Sequence, residues 1–448
     1  MKIRSLLGQC AGAALLLGAA HAVPVRAETL IARNFTLIDG RGGPAVPGSS
    51  LVQTDGRIIW VGPNAQAPAV ADATVVDLTG KFVTPGFIDL HVHLGNTHDM
   101  DMGAQFNTRA NVEHDLHTYA GYGFTSVAVM GTDKDFIFGL RKEQRAGRPT
   151  MARLFTSGQG LVFKNGYGGV PGITHPVATP QEAAAEVDAQ AVKGVDYIKL
   201  WVDDEHQLLP KMPPEISQAI IDAAHRNGLK AFAHIFYLAD AQRLVGQGID
   251  GFVHSVRDKR IDDDLVRAMK EKGVAQVGAT LSREAAMFEY AKRSPVLDDP
   301  FFKQGVTQKT LNVLSDPQHE HQIASGPYFA QMPTYLANAT ANVKKLADGG
   351  IAIGVGTDAG PAGRFAGYAG HWEMELMVKA GLSTAQVIRA ATGGAAAVIG
   401  AKDIGTIERG KWADFVVLRA NPLDNILNTR QIDAVYIAGR HVAPADRP

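Results

Sequence analysis

The middle of the chain alternates between short apolar runs and amphipathic segments. The apolar runs have the length and bounding turn residues of buried strands, and the segments between them carry apolar residues at helical spacing. Eight strands, each followed by a helical segment, predict a (β/α)8 TIM barrel of the α/β class, with a doubly wound sheet as the competing architecture. The predicted strands are 87–93, 125–131, 152–158, 196–202, 230–236, 251–256, 274–280 and 351–357, and the helical patterns include 180–193, 214–227, 239–247 and 262–272.

The two ends of the chain have a different pattern, in which short alternating or apolar segments lie between Gly and Asp turns. This pattern predicts antiparallel strands at both ends, and we expect them to form one small composite β-sandwich domain. The predicted boundaries are 28–84 with 400–448 for this domain and 85–399 for the barrel, with terminal strands at 29–39, 50–54, 57–61, 414–418 and 434–438.

Residues 1–27 have the pattern of a secretory signal peptide. Lys2 and Arg4 form a basic start, and residues 6–20 form an apolar stretch that is too short to span a bilayer. Small-residue cleavage sites follow the stretch, and an uncleaved N-terminal anchor is the alternative. We therefore expect a periplasmic or secreted protein with no membrane span after cleavage.

Composition limits the classes of ligand and partner. Cys10 is the only cysteine and lies within the predicted signal, so the exported protein would contain no thiol. Disulfides and cysteine-ligated metals are then excluded, and a metal would be held by His, Asp, Glu or Lys. The formal net charge of −1 and the isoelectric point near 7.0 give no reason to expect nucleic acid or an anionic membrane surface as a partner.

The first predicted barrel strand ends in His91-Val-His93. Residues two apart in a strand point to the same side, so both imidazoles emerge together where the strand ends. Two neutral imidazoles on one rigid strand end favour a divalent metal site. Two surface histidines on a half-exposed strand are the alternative explanation.

Four other predicted strands carry a polar residue near the C-terminal end. These residues are Lys199 in strand four, His234 in strand five, His254 in strand six and Asp358 in strand eight. In a barrel they would converge on the C-terminal mouth, where barrel active sites form, and this agreement favours the barrel over the doubly wound sheet. Taken singly, each histidine could be a hydrogen-bonded core residue, and Lys199 could extend to solvent.

These motifs resemble the amidohydrolase superfamily, in its branch related to imidazolonepropionase and prolidase-like enzymes. The resemblance runs from about residue 30 to the C-terminus and is specific for the superfamily, but only weakly specific for a substrate. The matching segments are Val83-Thr-Pro-Gly-Phe-Ile-Asp-Leu-His-Val-His93, Tyr197-Ile-Lys199, His234, His254, Gly354-Val-Gly-Thr-Asp358, residues 381–392 and residues 405–414.

The resemblance implies a binuclear metal centre. The first metal would be held by His91, His93 and Asp358, the second by His234 and His254, and a carbamate formed from CO2 on Lys199 would bridge the two. Zinc is the expected metal, with manganese, cobalt and iron as alternatives. The implied mechanism is attack by a metal-bridging hydroxide, with Asp358 accepting its proton and delivering it to the leaving amine.

The substrate-binding residues are less well defined by the resemblance. Prolidase-like relatives often place a tyrosine two residues after the strand-five histidine, where this chain has Phe236, with Tyr237 one position later. Their loop after strand three carries a histidine, whereas this chain offers Lys164 and Tyr167. Both departures count against a simple dipeptidase assignment. A flexible loop with solvated polar residues is the alternative for Lys164 and Tyr167.

A long connection and two further residues complete the predicted mouth of the barrel. Residues 282–332 are too long for an ordinary strand-to-helix connection, and we expect a lid or helical insertion. Aromatic residues of such an insertion more often pack it onto the barrel, and shaping an apolar substrate pocket is the alternative. Arg364 and His371 follow Asp358 closely enough to line the mouth, although His371 could instead simply begin helix eight. His319 and His321 form a second HxH pair, which we interpret as solvated surface.

The sequence therefore predicts a metal-dependent hydrolase of an amide or peptide-like C–N bond. The expected substrate is a dipeptide or an N-acyl amino acid with a free carboxylate and a bulky apolar group. Hydrolysis of cyclic amides, esters, lactones or phosphotriesters at the same site is the alternative, and a degenerate barrel that only binds a ligand is a third reading. The expected partner is a small molecule, and homo-oligomer formation stays open.

Overall fold

The computed structural model describes residues 28–442. The predicted signal peptide, residues 1–27, therefore lies outside the described residues. The strands in chain order are β1 Thr29–Leu37, β2 Val46–Thr54, β3 Arg57–Pro63, β4 Thr74–Asp77, β5 Phe82–Pro85, β6 Phe87–Val92, β7 Thr97–His98, β8 Asp101–Met102, β9 Phe124–Val129, β10 Arg153–Thr156, β11 Leu161–Phe163, β12 His175–Val177, β13 Ile198–Trp201, β14 Ala231–His234, β15 Gly251–Phe252, β16 Ala275–Gln276, β17 Phe415–Leu418, β18 Ile432–Ile437 and β19 Arg440–Val442.

Helices lie between most of the central strands. Short 3-10 helices occur at Asn64–Gln66, Ala104–Phe106, Pro295–Asp298, Phe329–Gln331 and Ile426–Arg430. The α-helices are α1 Arg109–Gly121, α2 Phe136–Ala146, α3 Pro180–Lys193, α4 Pro214–Arg226, α5 Leu238–Gln247, α6 Asp263–Lys272, α7 Leu281–Glu289, α8 Pro300–Lys303, α9 Gln308–Leu314, α10 Pro317–Ala324, α11 Met332–Asp348, α12 Tyr368–Lys379, α13 Thr384–Ala390 and α14 Gly393–Ile399.

Local signals set the ends of the helices that separate the central strands. The Thr179 side chain accepts from the Glu182 N–H at the start of α3, and Asp262 does the same for Leu265 at the start of α6. Both helices end at a glycine in the left-handed region, a conformation that costs glycine no Cβ clash. Each helix therefore ends at a defined glycine, and the next strand begins a few residues later.

The central strands pair in parallel. One set has the order β10-β9-β6 and the other has the order β12-β11-β13-β14-β15-β16. Two single bridges, Gln276 with Ile353 and Val92 with Ala359, extend the parallel pairing through residues 353–359 back to β6. Apolar side chains on or next to these strands pack in one buried cluster that includes Ile88, Leu90, Tyr197, Phe232 and Val253.

The eighth predicted strand, residues 351–357, differs from the expectation. It contributes only the bridge at Ile353, although the Leu90 N–H still donates to the Val355 carbonyl at 2.8 Å. A Cβ on Gly354 would lie 2.4 Å from Leu90, and one on Gly356 would lie 2.8 Å from Gly278. The glycines allow a close approach of two chain segments, and regular ladder pairing is interrupted there.

Strands from both ends of the described chain join in one eight-stranded sheet. Its order is β19-β18-β17-β5-β1-β2-β3, with β4 paired to β1. Buried apolar residues of both regions, such as Phe35, Leu51, Phe415 and Val417, pack in one cluster. A composite terminal sheet is thus observed, while its description as a β-sandwich stays a prediction.

The predicted insertion at 282–332 is mainly helical. It contains most of α7 together with α8, α9 and α10, and it leads directly into α11. Glu373 of α12 fixes the start of α7, because its carboxylate accepts from the backbone N–H groups of Leu281 and Ser282 at 3.0 and 2.7 Å. Within residues 28–442, no helix combines the length and the apolar character needed to cross a membrane.

A buried ion pair ties β10 to the terminal sheet, and we predict that it contributes strongly to stability. Arg153 donates to both carboxylate oxygens of Asp414 at 2.7 and 3.2 Å, and the two side chains are only 8% and 3% exposed. Because Asp414→Ala leaves a buried guanidinium unpaired, it should lower the free energy of unfolding by about 3–5 kcal/mol. Denaturant unfolding followed by circular dichroism measures this change.

The matched control for this prediction is Asp433→Ala. Asp433 pairs with Lys81 at 3.0 Å, but both side chains are about a third exposed. Removing such a pair should cost less than about 1 kcal/mol. Equal costs for the two variants would contradict the importance assigned to the Arg153–Asp414 pair.

Candidate metal centre

Two histidines and an aspartate meet at the C-terminal end of β6. His91 lies within this strand, His93 follows it, and Asp358 lies on the neighbouring segment that bridges back to β6. The Asp358 Oδ1 atom lies 3.3 Å from His91 Nε2 and 2.9 Å from His93 Nε2. All three side chains are buried, and one ligand atom from each lies within 4.8 Å of the others. The group has the composition and spacing of a metal site.

Lys199, His234 and His254 lie beside this group. The His254 ring centroid is 4.8 Å from that of His91 and 4.2 Å from that of His234. Lys199 is fully buried in β13, with its ammonium nitrogen 4.0 Å from the Trp201 ring centroid. The structure thus brings together all six residues that the strand-end pattern selected.

Each histidine uses one ring nitrogen for a hydrogen bond to a group outside the cluster. The second ring nitrogen of His93 faces Asp358, and that of His91 has no hydrogen-bond partner among residues 28–442. Such contacts fix the ring orientation, as neighbouring groups do around many metal-bound histidines. The contacts are His91 Nδ1 with the Val253 carbonyl at 3.1 Å, His93 Nδ1 with Thr132 Oγ1 at 2.8 Å, His254 Nδ1 with Thr280 Oγ1 at 3.1 Å and His234 Nε2 with Asp203 Oδ2 at 2.9 Å.

Burial sets the protonation of these groups. It lowers the pKa of His234 to about 4 and lowers the pKa values of His91, His93 and His254 below their ordinary range. The neutral imidazole is the form that binds metal ions. Burial alone would raise the pKa of Asp358, but the nearby Arg364 charge and the two histidines hold it well below its usual range. The cluster therefore offers neutral imidazoles and a carboxylate.

Lys199 is the least conventional member of the cluster. Burial lowers its pKa from 10.5 to about 7, against a smaller opposing effect of the Asp358 charge. A large share of the side chain is then a free amine at neutral pH, which is the form that reacts with CO2. Because the resulting carbamate is an anion, it is a suitable ligand for two cations, whereas an ammonium is not.

Two buried nitrogen atoms without hydrogen-bond partners also fit a site for divalent cations. Among residues 28–442, neither Lys199 Nζ nor His91 Nε2 has a hydrogen-bond partner, although both atoms are buried. Unpaired buried polar atoms are costly and therefore uncommon in folded proteins. Metal ions held by the imidazoles and by a carbamate on Lys199 would satisfy both atoms.

Backbone conformation at the cluster is also unusual. Asp358 and Thr280 both have positive φ, at 58° and 53°. For a β-branched residue such as Thr280 this conformation is rare, and it is found where surrounding structure enforces it, often at functional sites. Here it allows the Thr280 hydroxyl to contact His254, while the Asp358 N–H donates to the His91 carbonyl at 2.7 Å.

Comparison with known proteins agrees with this geometry. The model of the Amidohydrolase family matches residues 82–442, which is most of the chain. The chain belongs to the amidohydrolase family. The family is metal-dependent, which agrees with the ligand set around His91, His93 and Asp358. The resemblance inferred from the sequence motifs is thereby confirmed.

Individual relatives of this amidohydrolase differ in how much of their length they share with it. An uncharacterized protein of Mycobacterium tuberculosis is 26% identical over 261 residues, covering 55% of this chain but only 61% of the relative. The imidazolonepropionase of Deinococcus radiodurans is 25% identical over 87% of this chain and 91% of its own. The crystal structure of a candidate prolidase from Bifidobacterium longum is similar, with a TM-score of 0.71, 26% identity and coverage of 94% and 96%.

Sequence reasoning missed Asp203, which holds His234 in this amidohydrolase. Asp203 is buried and comes two residues after β13. Burial alone would raise its pKa, but the hydrogen bond from His234 keeps it well below the ordinary range, so the carboxylate stays charged. Its position just after a central parallel strand was a signal comparable to the others, because parallel strand ends meet at one face.

Two of the predicted substrate-binding residues lie at the metal centre. The Arg364 guanidinium contacts the Asp358 carboxylate, and the Tyr167 ring centroid is 5.3 Å from that of His234. Tyr237 faces elsewhere, because its hydroxyl donates to Asp204 Oδ1 at 2.8 Å and Lys211 covers its ring. Tyr237 is thus committed to a neighbouring polar network.

The structure places Lys164 and His371 away from the metal cluster. The Lys164 side chain is exposed and lines neither of the two cavities beside the cluster. His371 is buried, with its ring nitrogens 2.9 Å from Thr429 Oγ1 and 2.8 Å from the Tyr122 carbonyl. Its ring packs edge-on against Phe87, at the start of β6. Helix α12 therefore directs His371 to the opposite end of the strand from the metal ligands.

Two cavities flank the metal cluster and share Ala362 and Gly363 in their walls. The first, of about 370 Å³, is lined by His93 and Arg364 and by polar residues of α1. The second, of about 430 Å³, is lined by Tyr167 and Asp203 and by much of the helical insertion, including His319. Both volumes are in the range of small-molecule sites. His319 therefore lies on a cavity wall, while His321 is exposed as expected.

Proposed function

We propose that this amidohydrolase cleaves an amide or peptide-like C–N bond of a dipeptide or N-acyl amino acid with a free carboxylate. The observation that carries the proposal is the convergence of four neutral histidines, one carboxylate and one buried lysine beside two cavities, the lysine having no hydrogen-bond partner in the described chain. Such a donor set is suited to hydrolysis at neutral pH and needs no cysteine or organic cofactor.

The proximity of the six side chains supports the following ligand assignment. His91, His93 and Asp358 would hold one divalent ion, His234 and His254 would hold a second, and a carbamate on Lys199 would serve as a shared ligand. Zinc is the proposed metal, given nitrogen and oxygen donors. When bound, the ions supply an activated water near neutral pH and polarise the substrate carbonyl.

The residues of the chain would supply the proton transfers and the positioning. Asp358 is a charged carboxylate at neutral pH, so it can accept a proton during attack and return it to the departing amine nitrogen. Arg364 contacts the Asp358 carboxylate and keeps it oriented. Asp203 performs the same orienting task for the His234 imidazole.

A metal analysis combined with a substrate panel tests the proposal. The zinc- and manganese-loaded protein should contain about two metal ions per chain, as binuclear hydrolases do. It should hydrolyse dipeptides or N-acyl amino acids faster than cyclic amides, esters, lactones or phosphotriesters. The exposed-histidine variant His321→Ala is the control and should match the parent in both respects.

Two results would overturn the proposal in different ways. A protein that binds no metal under any loading condition would rule out the hydrolytic mechanism altogether. Turnover restricted to neutral cyclic amides, esters or phosphotriesters would keep the metal centre but reject the substrate class. Export to the periplasm is a separate proposal, based on residues 1–27, and is tested by N-terminal sequencing of the protein recovered from cell fractions.

A further inference from the structure

The cavity on the Tyr167 side of the metal cluster has an aromatic wall. His206 stacks on Tyr328 with ring centroids 4.0 Å apart and on Tyr335 with centroids 5.6 Å apart. Phe236 closes the wall edge-on to Tyr335, with centroids 5.1 Å apart. These rings come from the loop after β13, the segment after β14, and the insertion with α11. Together they form a face suited to a flat or bulky apolar group.

A buried arginine without full pairing lies in the same cavity. The Arg257 side chain is only 2% exposed, and among residues 28–442 its Nε and Nη1 atoms have no hydrogen-bond partner. Its backbone is fixed, because its N–H donates to the Phe236 carbonyl at 3.0 Å and its carbonyl accepts from Asn338 at 3.0 Å. The guanidinium carbon is 5.0 Å from the Phe236 ring centroid. The guanidinium is therefore held in place, and its Nε and Nη1 atoms lack a hydrogen-bond acceptor in the described part of the chain, although Glu284 lies at ion-pair distance from Nε.

Arg257 shares its carboxylate partner, Glu284, with Arg283. Glu284 Oε1 accepts from Arg283 Nη1 at 2.8 Å and lies 3.4 Å from Arg257 Nε, so one carboxylate is shared by two guanidinium groups. The wall also contains the charged Asp203, which accepts from the neutral His234, and the partly exposed Glu205. A buried guanidinium with unsatisfied N–H donors can bind a ligand carboxylate through charge-assisted hydrogen bonds.

We propose that Arg257 binds the free carboxylate of the amino acid on the amine side of the scissile bond. The aromatic wall of His206, Tyr328, Tyr335 and Phe236 then accepts the side chain of the same residue. The inference rests on the proposed function and narrows its substrate class. It selects dipeptides and N-acyl amino acids that end in phenylalanine, tryptophan or another large apolar residue, rather than in glycine or alanine.

Binding of small probes tests this site without requiring turnover. L-phenylalanine has both recognised groups, phenethylamine lacks the carboxylate, and L-alanine lacks the ring. In calorimetric titrations of the zinc-loaded protein, phenylalanine should bind about 10- to 100-fold more tightly than phenethylamine, because a charge-assisted pairing is lost with the carboxylate. Alanine should also bind more weakly than phenylalanine. Equal affinities for phenylalanine and phenethylamine would overturn the role of Arg257.

The variant Arg257→Gln assigns the effect to this residue. It should remove the preference for phenylalanine over phenethylamine and lower kcat/KM for N-acetylphenylalanine about 10- to 100-fold, mainly through KM. Hydrolysis of N-acetylphenylalaninamide, which lacks the carboxylate, should change little. Arg260→Gln removes an exposed arginine three residues later and is the matched control, expected to behave like the parent.

The outcomes separate this inference from the proposed function. Arginine-dependent binding of phenylalanine without turnover of any amide would keep the carboxylate site and reject the hydrolytic assignment. Amide hydrolysis whose rate depends neither on the substrate carboxylate nor on Arg257 would support the hydrolase assignment and reject the proposed carboxylate site. If Arg257→Gln fails to fold, as judged by circular dichroism, the three-probe titration of the parent protein still decides.

Discussion

Replacing Lys199 with alanine should abolish amide hydrolysis, with a loss of at least about 10²-fold, and should lower the bound metal content. The buried amine has no hydrogen-bond partner among residues 28–442, and we attribute its role to the proposed carbamate. A short carboxylic acid such as propionate, supplied in solution, fits the space left by the side chain and should restore part of both properties. Metal analysis and initial rates, with and without propionate, measure the effect.

Lys402→Ala is the control for this substitution, because Lys402 is exposed. It should retain the metal content and the rate of the parent protein. Full metal and full rate in Lys199→Ala would contradict the bridging role of Lys199. Loss of metal without any rescue by a carboxylic acid would leave a structural role for the lysine but give no support to the carbamate.

The same lysine should reduce the stability of the metal-free protein. Burial lowers the pKa of Lys199 in the folded protein to about 7 from 10.5. Between pH 7 and pH 10.5, the unfolded chain therefore binds the lysine proton more tightly than the folded protein does. The lysine-dependent penalty is therefore full below about pH 7 and is relieved as pH rises toward 10.5. Lys199→Met should remove this penalty, so its advantage in melting temperature over the metal-free parent should be largest at or below pH 7. An advantage that does not shrink at higher pH would argue against the lowered pKa.

Replacing Asp358 with asparagine should reduce turnover by a factor of about 10² or more, as loss of a general base does. Asparagine is the appropriate replacement, because Asp358 has a φ of 58°, a left-handed conformation that asparagine tolerates. The substitution removes the negative charge that lies within 3.3 Å of both His91 and His93. Steady-state kinetics should show the loss mainly in kcat, with substrate binding largely intact.

Asp424→Asn provides the comparison, since Asp424 is an exposed residue on the terminal part of the chain. It should have parental kinetics and metal content. If Asp358→Asn kept parental turnover, the aspartate could not be the proton acceptor. Metal analysis of Asp358→Asn shows how much of its loss comes from weakened ligation.

The sequence by itself identified the candidate ligand residues of the metal centre. His91 and His93 lie two residues apart on a strand, and strand geometry alone directs both to one side. The other ligands stand at the ends of further predicted strands, where a parallel arrangement brings them together regardless of the details of the loops. Glycine and capping residues such as Thr179 and Gly194 also fixed many helix ends, because these are local backbone requirements.

Only the tertiary structure decided which residues face the cavities. Arg257 and Arg283 have no distinguishing pattern in the sequence, and their importance follows from burial and from one shared carboxylate, Glu284. Lys164 and His371 were both candidates for substrate binding by their sequence positions. In the structure, Lys164 is exposed and His371 is buried at the N-terminal end of β6. Strand ends are placed by regular pairing, but loops and insertions are placed by packing between segments far apart in the chain.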